Sequence, residues 1–428
     1  MTRLTAWRVA IEMFTLLSLI ACDGATGVNA PASTKVAAFG ARAGATAAPP
    51  SGALLTYHGG GVLLQMRVVA IYWASSPIFA NGPTPGTVGL GSTDSSLVGY
   101  FLNHLSHSNY WSINTNYSDG SGQPIQNVVT YARYWANNAD VPPSDGSSVG
   151  IYSMLMSGFE NGKIVFDPST VYVVFTAGST NLGGGFDESG YCALHGWMYT
   201  PYGTLLYAEM PYQLALADKC ANSLVPPNND PGADAEVNEL AHELDESATD
   251  PLLNAWYFDG SNPRIENGDL CFNVFLSTYT TTYGRANVRI GAKDFYIQSD
   301  YLNDPVVGCT LGLVHTGLYV TSVSGVPIPV KSAGAYTLNA GPLSIPSRGA
   351  PLYQWAIAYS NGVLPPDTTE YTESRTFTLN VPAGSYSILV TVTPRDDLGV
   401  GAPTTWTLPV CTGGGQLSAS NPDVLSGC

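Results

Sequence analysis

The stretch DAEVNELAHELDESAT, residues 234–249, decides how this chain is interpreted. Its apolar residues recur at the spacing of one helical face, and Asp234 is suited to cap the first turn. Asp250 and Pro251 follow, and the residue before a proline is pushed out of the α conformation, so the predicted helix ends there. The apolar stripe consists of Val237, Leu240, Ala241, Leu244 and Ala248.

The same helix carries a candidate metal site. Residues four apart lie on one helical face, so His242 and Glu246 can present an imidazole and a carboxylate to one cation. Glu243 is rotated by about 100° around the helix and can direct its carboxylate at a water molecule. A metal ion with an open position activates water for attack on a carbonyl group. The pattern therefore predicts a helix that supplies metal ligands and a general base.

This pattern resembles the H-E-x-x-H helix of the thermolysin-like zinc peptidases. Their third ligand is a downstream glutamate, and Glu266 stands at the matching offset, 24 residues after His242. The resemblance implies that His242, Glu246 and Glu266 bind Zn²⁺, and that Asp269 accepts the remaining N–H of His242. Glu246 replaces the second histidine of those enzymes. The additional carboxylate loosens the preference for zinc toward Mn²⁺ or Ca²⁺.

Four spaced motifs resemble the phosphate-induced, EXORDIUM-like protein family, whose members are exported and occur in plants and bacteria. They are LTYHGG (55–60), YCALHG (191–196), AHELDESATDPLLNAWY (241–257) and ENGDLC (266–271).

Position by position, the EXORDIUM-like resemblance implies that His58 and His195 line the cleft beside the helix. His195 would be a second catalytic residue that donates a hydrogen bond to a carbonyl oxyanion. A purely structural, hydrogen-bonded role is the alternative for His195 and the preferred interpretation for His58. His104, His107 and His315 have no motif around them and are expected at the surface or in packing.

The fold class predicted from these elements is α+β. Residues 67–73 and 171–175 are continuous apolar runs, which are typical of central strands covered on both faces. Residues 95–106 show helical spacing after a serine start. Together with the helix at 234–249, these elements predict a zincin-like mixed domain with an active-site helix over residues 53–310.

The segments outside this domain have different compositions. Short alternating strands between Gly, Pro and Asn turns predict an immunoglobulin-like β-sandwich over residues 318–411, followed by a loose tail at 412–428. Residues 23–52 are rich in Ala, Gly and Pro and are expected to form a flexible linker. Residues 1–22 resemble a signal peptide with a bacterial lipobox, which implies lipidation of Cys22; an ordinary signal peptide is the alternative.

Charge and composition limit the function. The 428 residues carry a formal net charge of −16 and only 11% charged residues. Nucleic acid is therefore excluded as a partner, because binding phosphates requires a basic face. An anionic membrane surface is disfavoured for the same reason, and the only membrane contact expected is the lipid anchor on Cys22. The oligomeric state is not predicted.

The cysteine count indicates an oxidising compartment. Without Cys22, six of the seven cysteines remain, and an even number in an exported chain predicts three disulfides. Many connectivities are possible, and the local pairing is a hypothesis. It joins Cys192 to Cys220, Cys271 to Cys309, and Cys411 to Cys428.

The predicted function is an exported, zinc-dependent hydrolase of peptidase type in the bacterial cell envelope or outside the cell. Glu243 and His195 would be catalytic, and the substrate would be a peptide or a cell-wall component. The alternative is a non-catalytic cell-surface or cell-wall binding protein that keeps a structural metal site, which the exchange at Glu246 favours. Carbohydrate processing or binding at the wall is a third, weaker option.

Overall fold

A computed structural model gives the fold of this protein. The structure describes residues 54–138, 148–177, 192–213, 220, 225–259, 265–303, 308–313, 317–347, 349–360, 362, 364–396 and 399–412. The predicted signal peptide and linker lie outside these residues, as do His315 and nearly all of the predicted tail.

The first part of the described chain contains four α-helices and fourteen strands. The helices are α1 (Leu97–His104), α2 (Ser148–Glu160), α3 (Pro231–Thr249) and α4 (Asn267–Leu270), with 3₁₀ turns at Gly91–Thr93 and Trp111–Asn116. The strands are β1 (Thr56–Tyr57), β2 (Met66–Trp73), β3 (Val88–Leu90), β4 (Val129–Asn137), β5 (Thr170–Thr176), β6 (Leu194–Thr200), β7 (Gly203–Met210), β8 (Trp256–Tyr257), β9 (Tyr279–Thr280), β10 (Arg285–Ala286), β11 (Val288–Ile290), β12 (Lys293–Phe295), β13 (Asp300–Leu302) and β14 (Gly308–Thr310).

The remaining described residues form only strands and loops. The strands are β15 (Val323–Ser324), β16 (Gly334–Ala340), β17 (Leu352–Tyr359), β18 (Asp367–Thr368), β19 (Thr376–Val381), β20 (Gly384–Asp396), β21 (Gly399–Val400) and β22 (Thr404–Thr412).

The prediction of a zincin-like α+β fold is wrong. Strands make up 39% of the structure and helices only 17%, so the protein is predominantly β. Its strands are distributed among many sheets. The physical reason is that 46 glycines and 30 prolines break the chain into short segments. Strands of two or three residues such as β8 and β9 are too short to show an alternating pattern, and sequence reasoning missed them.

The largest sheet has six strands in the order β3-β4-β2-β5-β7-β6. Strands β4, β2, β5 and β7 are parallel, and the two outer strands pair antiparallel to their neighbours. The predicted central strands are confirmed as β2 and β5, and every residue of β5 is buried. Continuous apolar runs suit this position because helices cover both faces of a parallel sheet.

Alternate side chains of the two central strands pack on opposite faces of this sheet. Val68 and Val173 belong to the larger core, which also contains apolar residues of α1 and α3. Ile71 and Val174 belong to a second core with residues of α2. The sheet therefore holds α3, the helix with the candidate site, against one of its faces.

Helix α3 differs from the amphipathic helix that the sequence predicts. It begins at Pro231 with Asp230 as its N-cap, four residues before the predicted Asp234 cap, and Pro at the first helical position is favourable because its missing N–H needs no partner there. It ends at Thr249, as predicted. Every residue from 232 to 249 is buried, including the charged ones, so its polar faces are enclosed by protein rather than by solvent.

The predicted β-sandwich fits the structure in part. Strands β15, β16 and β19 form one antiparallel sheet, and β17, β18, β20, β21 and β22 form another. Between them lies a separate apolar core that contains Trp355, Leu379 and Ile388.

Neighbouring residues of β20 test the packing of this core. Ile388 is fully buried, whereas Leu389 is 44% exposed on the other side of the strand. We expect Ile388→Ala to lower the free energy of unfolding by about 2–5 kcal/mol because it leaves a cavity. Leu389→Ala removes the same number of carbons and should cost less than about 0.5 kcal/mol. Urea denaturation of both variants measures the difference, and equal losses would contradict this packing.

Candidate functional site

The candidate site lies where α3 meets α4. His242, Glu243 and Glu246 project from α3, and all three are fully buried. Glu266 is the N-cap residue of α4, and it forms a reciprocal capping box with Asp269. The backbone N–H of Asp269 also donates to Glu246 Oε1 at 3.1 Å, so one hydrogen bond fixes the position of α4 against the helix that carries the histidine.

The imidazole of His242 has different partners on its two nitrogens. Its Nε2 lies 3.0 Å from Glu246 Oε1 and 3.9 Å from Asp269 Oδ1. Its Nδ1 lies 2.7 Å from Nε2 of Gln298. The sequence predicted that Asp269 takes the remaining N–H of His242, but the structure gives that side of the ring to Gln298 and places Asp269 with the carboxylate cluster.

His195 reaches the same cluster from the outer strand β6. Its Nε2 lies 3.2 Å from Glu266 Oε2 and 3.6 Å from Glu246 Oε2. Burial lowers the pKa of His195, and the negative charge of Glu246 only partly opposes this. The structure thus brings together all six residues proposed from the sequence: His195, His242, Glu243, Glu246, Glu266 and Asp269. Their roles remain predictions.

The buried carboxylates of the cluster repel one another, and burial together with this repulsion raises their pKa values. Burial first, and then repulsion from Glu246, raises the pKa of Glu243 well above its ordinary value. Burial and the nearby Glu266 do the same for the pKa of Glu246, and burial and Glu246 do so for the pKa of Asp269. A cation placed among these groups would relieve the repulsion, because opposite charge within a few ångströms favours the ionised form.

The donor atoms fit a metal ion. Two sets of possible ligand atoms each lie within 4.8 Å of one another. One set comes from His195, Glu243 and Glu246, and the other comes from His242, Glu246 and Asp269. In the part of the chain that the structure describes, both oxygens of Glu243, Oε2 of Glu246 and Nε2 of His242 are buried and make no hydrogen bond. Buried polar atoms without partners are costly, so a ligand for them is expected. Imidazole and carboxylate donors suit zinc or manganese.

Asp245 of α3 and Asp300 of β13 form a second pair of buried acidic side chains. Asp245 accepts a hydrogen bond of 2.5 Å from Asn114, and Asp300 accepts one of 3.0 Å from Asn267, the residue after Glu266. Burial and the charge of Asp300 raise the pKa of Asp245, and burial raises the pKa of Asp300 to about 7. Asp245 is therefore held by its own polar partners and not by the ligand cluster.

The other histidines have partners of their own. His58 stacks on Tyr257 at 3.6 Å between ring centroids, and its Nε2 lies 3.6 Å from Asp259 Oδ2. The structural role preferred for it stays a prediction. His104 stacks on Tyr100. Sequence reasoning missed Gln298, because a single glutamine in a loop carries no motif and its contact with His242 spans 56 residues.

Disulfides anchor two segments of the site. The predicted pairs Cys192–Cys220 and Cys271–Cys309 are confirmed. Cys192 of the first pair lies three residues before His195, and Cys271 of the second pair lies two residues after Asp269. Cys411 is also disulfide-bonded, but its predicted partner Cys428 lies outside the described residues. These bonds indicate an oxidising, extracytoplasmic compartment. In the described ranges, no helix is long and apolar enough to cross a lipid bilayer.

The family of this chain follows from comparison with known proteins. The structure defines a protein of an oxidising compartment with a buried centre of histidine and carboxylate side chains. Residues 55–293 match the model of the phosphate-induced protein 1 conserved region, and the chain belongs to that family. The matching segment includes β2, β5 and all of the candidate site residues.

Two curated relatives come from Arabidopsis thaliana. Protein EXORDIUM-like 5 is 25% identical over 214 residues, which cover 42% of this chain and 57% of the relative. Protein EXORDIUM-like 3 is 45% identical over 51 residues, which cover 11% of this chain and 15% of the relative. The chain thus spans little more than half the length of the first relative.

The sandwich resembles solved domains only weakly. The fibronectin type-III domain of human fibronectin type III domain containing protein 3 matches with a TM-score of 0.17 and 13% identity, covering 24% of this chain and 94% of that domain. A TM-score this low supports no conclusion about the fold.

Gly268 tests how tightly the site is packed. A Cβ atom there would lie 2.9 Å from His242 Nδ1 and 3.0 Å from Glu246 Oε1. We expect Gly268→Ala to displace these side chains and lower the free energy of unfolding by about 1–3 kcal/mol. Gly61→Ala is the matched control, since a Cβ there meets nothing within 4 Å. Thermal unfolding measures both variants, and a neutral Gly268→Ala would contradict the close approach of α4.

Proposed function

We propose that this protein is an exported, metal-dependent hydrolase of peptidase type. The observation that supports it is the buried cluster on α3 and α4, in which His242, Glu243 and Glu246 keep donor atoms without hydrogen bonds. In the described part of the chain, the ion pairs of this cluster involve histidine and carboxylates only, with no lysine or arginine. A bound cation would reduce the repulsion among the buried carboxylates.

The proposed ligands are His242, Glu246 and Glu266. Asp269 lies close enough to His242 and Glu246 to be the alternative third ligand, since its carboxylate, and not that of Glu266, forms a group with them. Zinc is the expected ion, and Mn²⁺ or Ca²⁺ remain alternatives because two of three ligands are carboxylates. When bound, such an ion supplies Lewis acidity that polarises a carbonyl group and makes water more acidic.

The chain's own residues then have distinct roles. Glu243 accepts the proton of the attacking water as the general base. His195 donates a hydrogen bond to the oxyanion that develops on the carbonyl. Both side chains are buried, and the low dielectric around them strengthens these interactions.

A peptide or a cell-wall component outside the cytoplasm is the proposed substrate. The disulfides support an oxidising compartment, and lipidation of Cys22 would hold the protein at a bacterial cell envelope.

One observation favours a second candidate function, a non-catalytic cell-surface or cell-wall binding protein with a structural metal site. His242, Glu243, Glu246 and Glu266 are all fully buried, and closed coordination is typical of structural rather than catalytic metal sites.

Metal content tests the ligand assignment. We expect purified protein to contain about one zinc ion per chain, and Glu246→Ala to lose it because a ligand is removed. Glu373→Ala is the matched control, since this carboxylate is exposed on the sandwich. Elemental analysis of the three proteins measures the difference. Equal metal content in the parent and Glu246→Ala would remove Glu246 from the ligand set.

Replacement of the base separates the two functions. Glu243→Gln should keep its metal and lose activity on a peptide library by a factor of about 10²–10⁴, the usual contribution of a general base. Full activity in this variant would exclude Glu243 as the base. A metal-loaded parent without any hydrolysis of peptides would favour the binding protein.

A further inference from the structure

We propose that Gln298 is a positioning residue that selects the tautomer of His242 and thereby controls metal binding. This inference rests on the proposed function, since it concerns the ligand nitrogen of the same histidine. It is carried by the contacts of one buried amide group, which is 1% exposed and belongs to the loop between β12 and β13.

The orientation of the Gln298 amide is fixed by its neighbours. Its Nε2 lies 3.1 Å from the carbonyl oxygen of Gly268, to which it donates a hydrogen bond. A carbonyl oxygen only accepts, so the amide nitrogen rather than the amide oxygen must face it. The backbone N–H of Gln298 also donates to Asn238 on α3 at 2.6 Å, which holds the residue beside His242.

This orientation decides where the proton of His242 lies. The same Nε2 of Gln298 is 2.7 Å from His242 Nδ1, and an amide nitrogen is a donor only. Nδ1 of a neutral imidazole must then be the acceptor, and its proton is on Nε2. Nε2 lies 3.0 Å from Glu246 Oε1 but forms no hydrogen bond with it. This arrangement of heavy atoms therefore favours the tautomer in which Nε2 offers no free electron pair to an ion.

Binding of an ion by Nε2 requires the opposite tautomer, with the proton on Nδ1. A donor facing Nδ1 opposes this state, whereas an acceptor supports it. Gln298 has an acceptor available: its Oε1 is buried and makes no hydrogen bond to the described residues. A turn of the amide that brings Oε1 to Nδ1 satisfies both groups and frees Nε2 for the ion. The contact with Gly268 is lost in the same step, so the resting orientation weakens metal binding.

Gln298→Glu is the variant that separates the two states. A carboxylate at this position accepts a hydrogen bond from Nδ1 and places no donor against it. We expect the variant to bind Zn²⁺ about tenfold or more tightly than the parent, the scale on which such supporting contacts act. Gln298→Leu offers neither donor nor acceptor and should bind more weakly than Gln298→Glu. Gln65→Glu adds the same charge at an exposed position and should leave the affinity unchanged.

Two measurements test the proposal. Competition with a chelator of known affinity gives the zinc dissociation constant of each protein. Long-range ¹H–¹⁵N spectra of metal-free, histidine-labelled protein identify the protonated nitrogen of His242, with His242→Gln assigning its signal. We expect a proton on Nε2 in the parent and on Nδ1 in Gln298→Glu.

A proton on Nδ1 in the metal-free parent would overturn the proposal, and so would equal zinc affinity in the parent and Gln298→Glu. If the parent binds no zinc, the proposed function fails, but the tautomer of the metal-free protein still decides whether Gln298 selects it.

Discussion

The burial of several carboxylates around two imidazoles is the constraint on which the rest of this structure depends. Removing an ionised carboxylate from water costs several kcal/mol unless partners compensate it. Helix α3 accepts this cost along its whole length, since every residue from 232 to 249 is buried. The short helix α4, the outer strand β6 and the Gln298 loop each contribute polar groups to this helix. Together they surround the buried carboxylates with polar partners, which lowers the cost of burying them.

The parts of the fold that the sequence predicted are those with strong local signals. Strands β2 and β5 were found because their apolar runs are uninterrupted, and the end of α3 because Pro251 follows it. The start of α3 was misplaced because Asp230 and Asp234 are both plausible caps, and only the Pro231 that follows Asp230 distinguishes them. The strand-rich character was underestimated, because many short strands are defined by distant pairing rather than by their own residues.

The site residues that the sequence predicted also had local signals, and those it missed had none. Spacing within one helix grouped His242 and Glu246, and the offset to Glu266 extended the group. Resemblance to a family, rather than spacing, suggested His195, which the structure places 3.2 Å from Glu266. Gln298 and Asn238 could not be found this way. Amide side chains have no fixed charge and no spacing rule, so only the packing of a loop on α3 reveals which nitrogen of the imidazole they restrain.

The parallel pairing of the main sheet has a consequence for biogenesis. β2 lies near the start of the described chain, yet it pairs with β4 and β5, in which Thr170 is the partner of Arg67. Contacts this distant along the chain form slowly, because a long loop must close first. A nascent chain therefore carries an apolar β2 without its partner β4 for about sixty further residues and without its partner β5 for about a hundred, a situation that promotes aggregation.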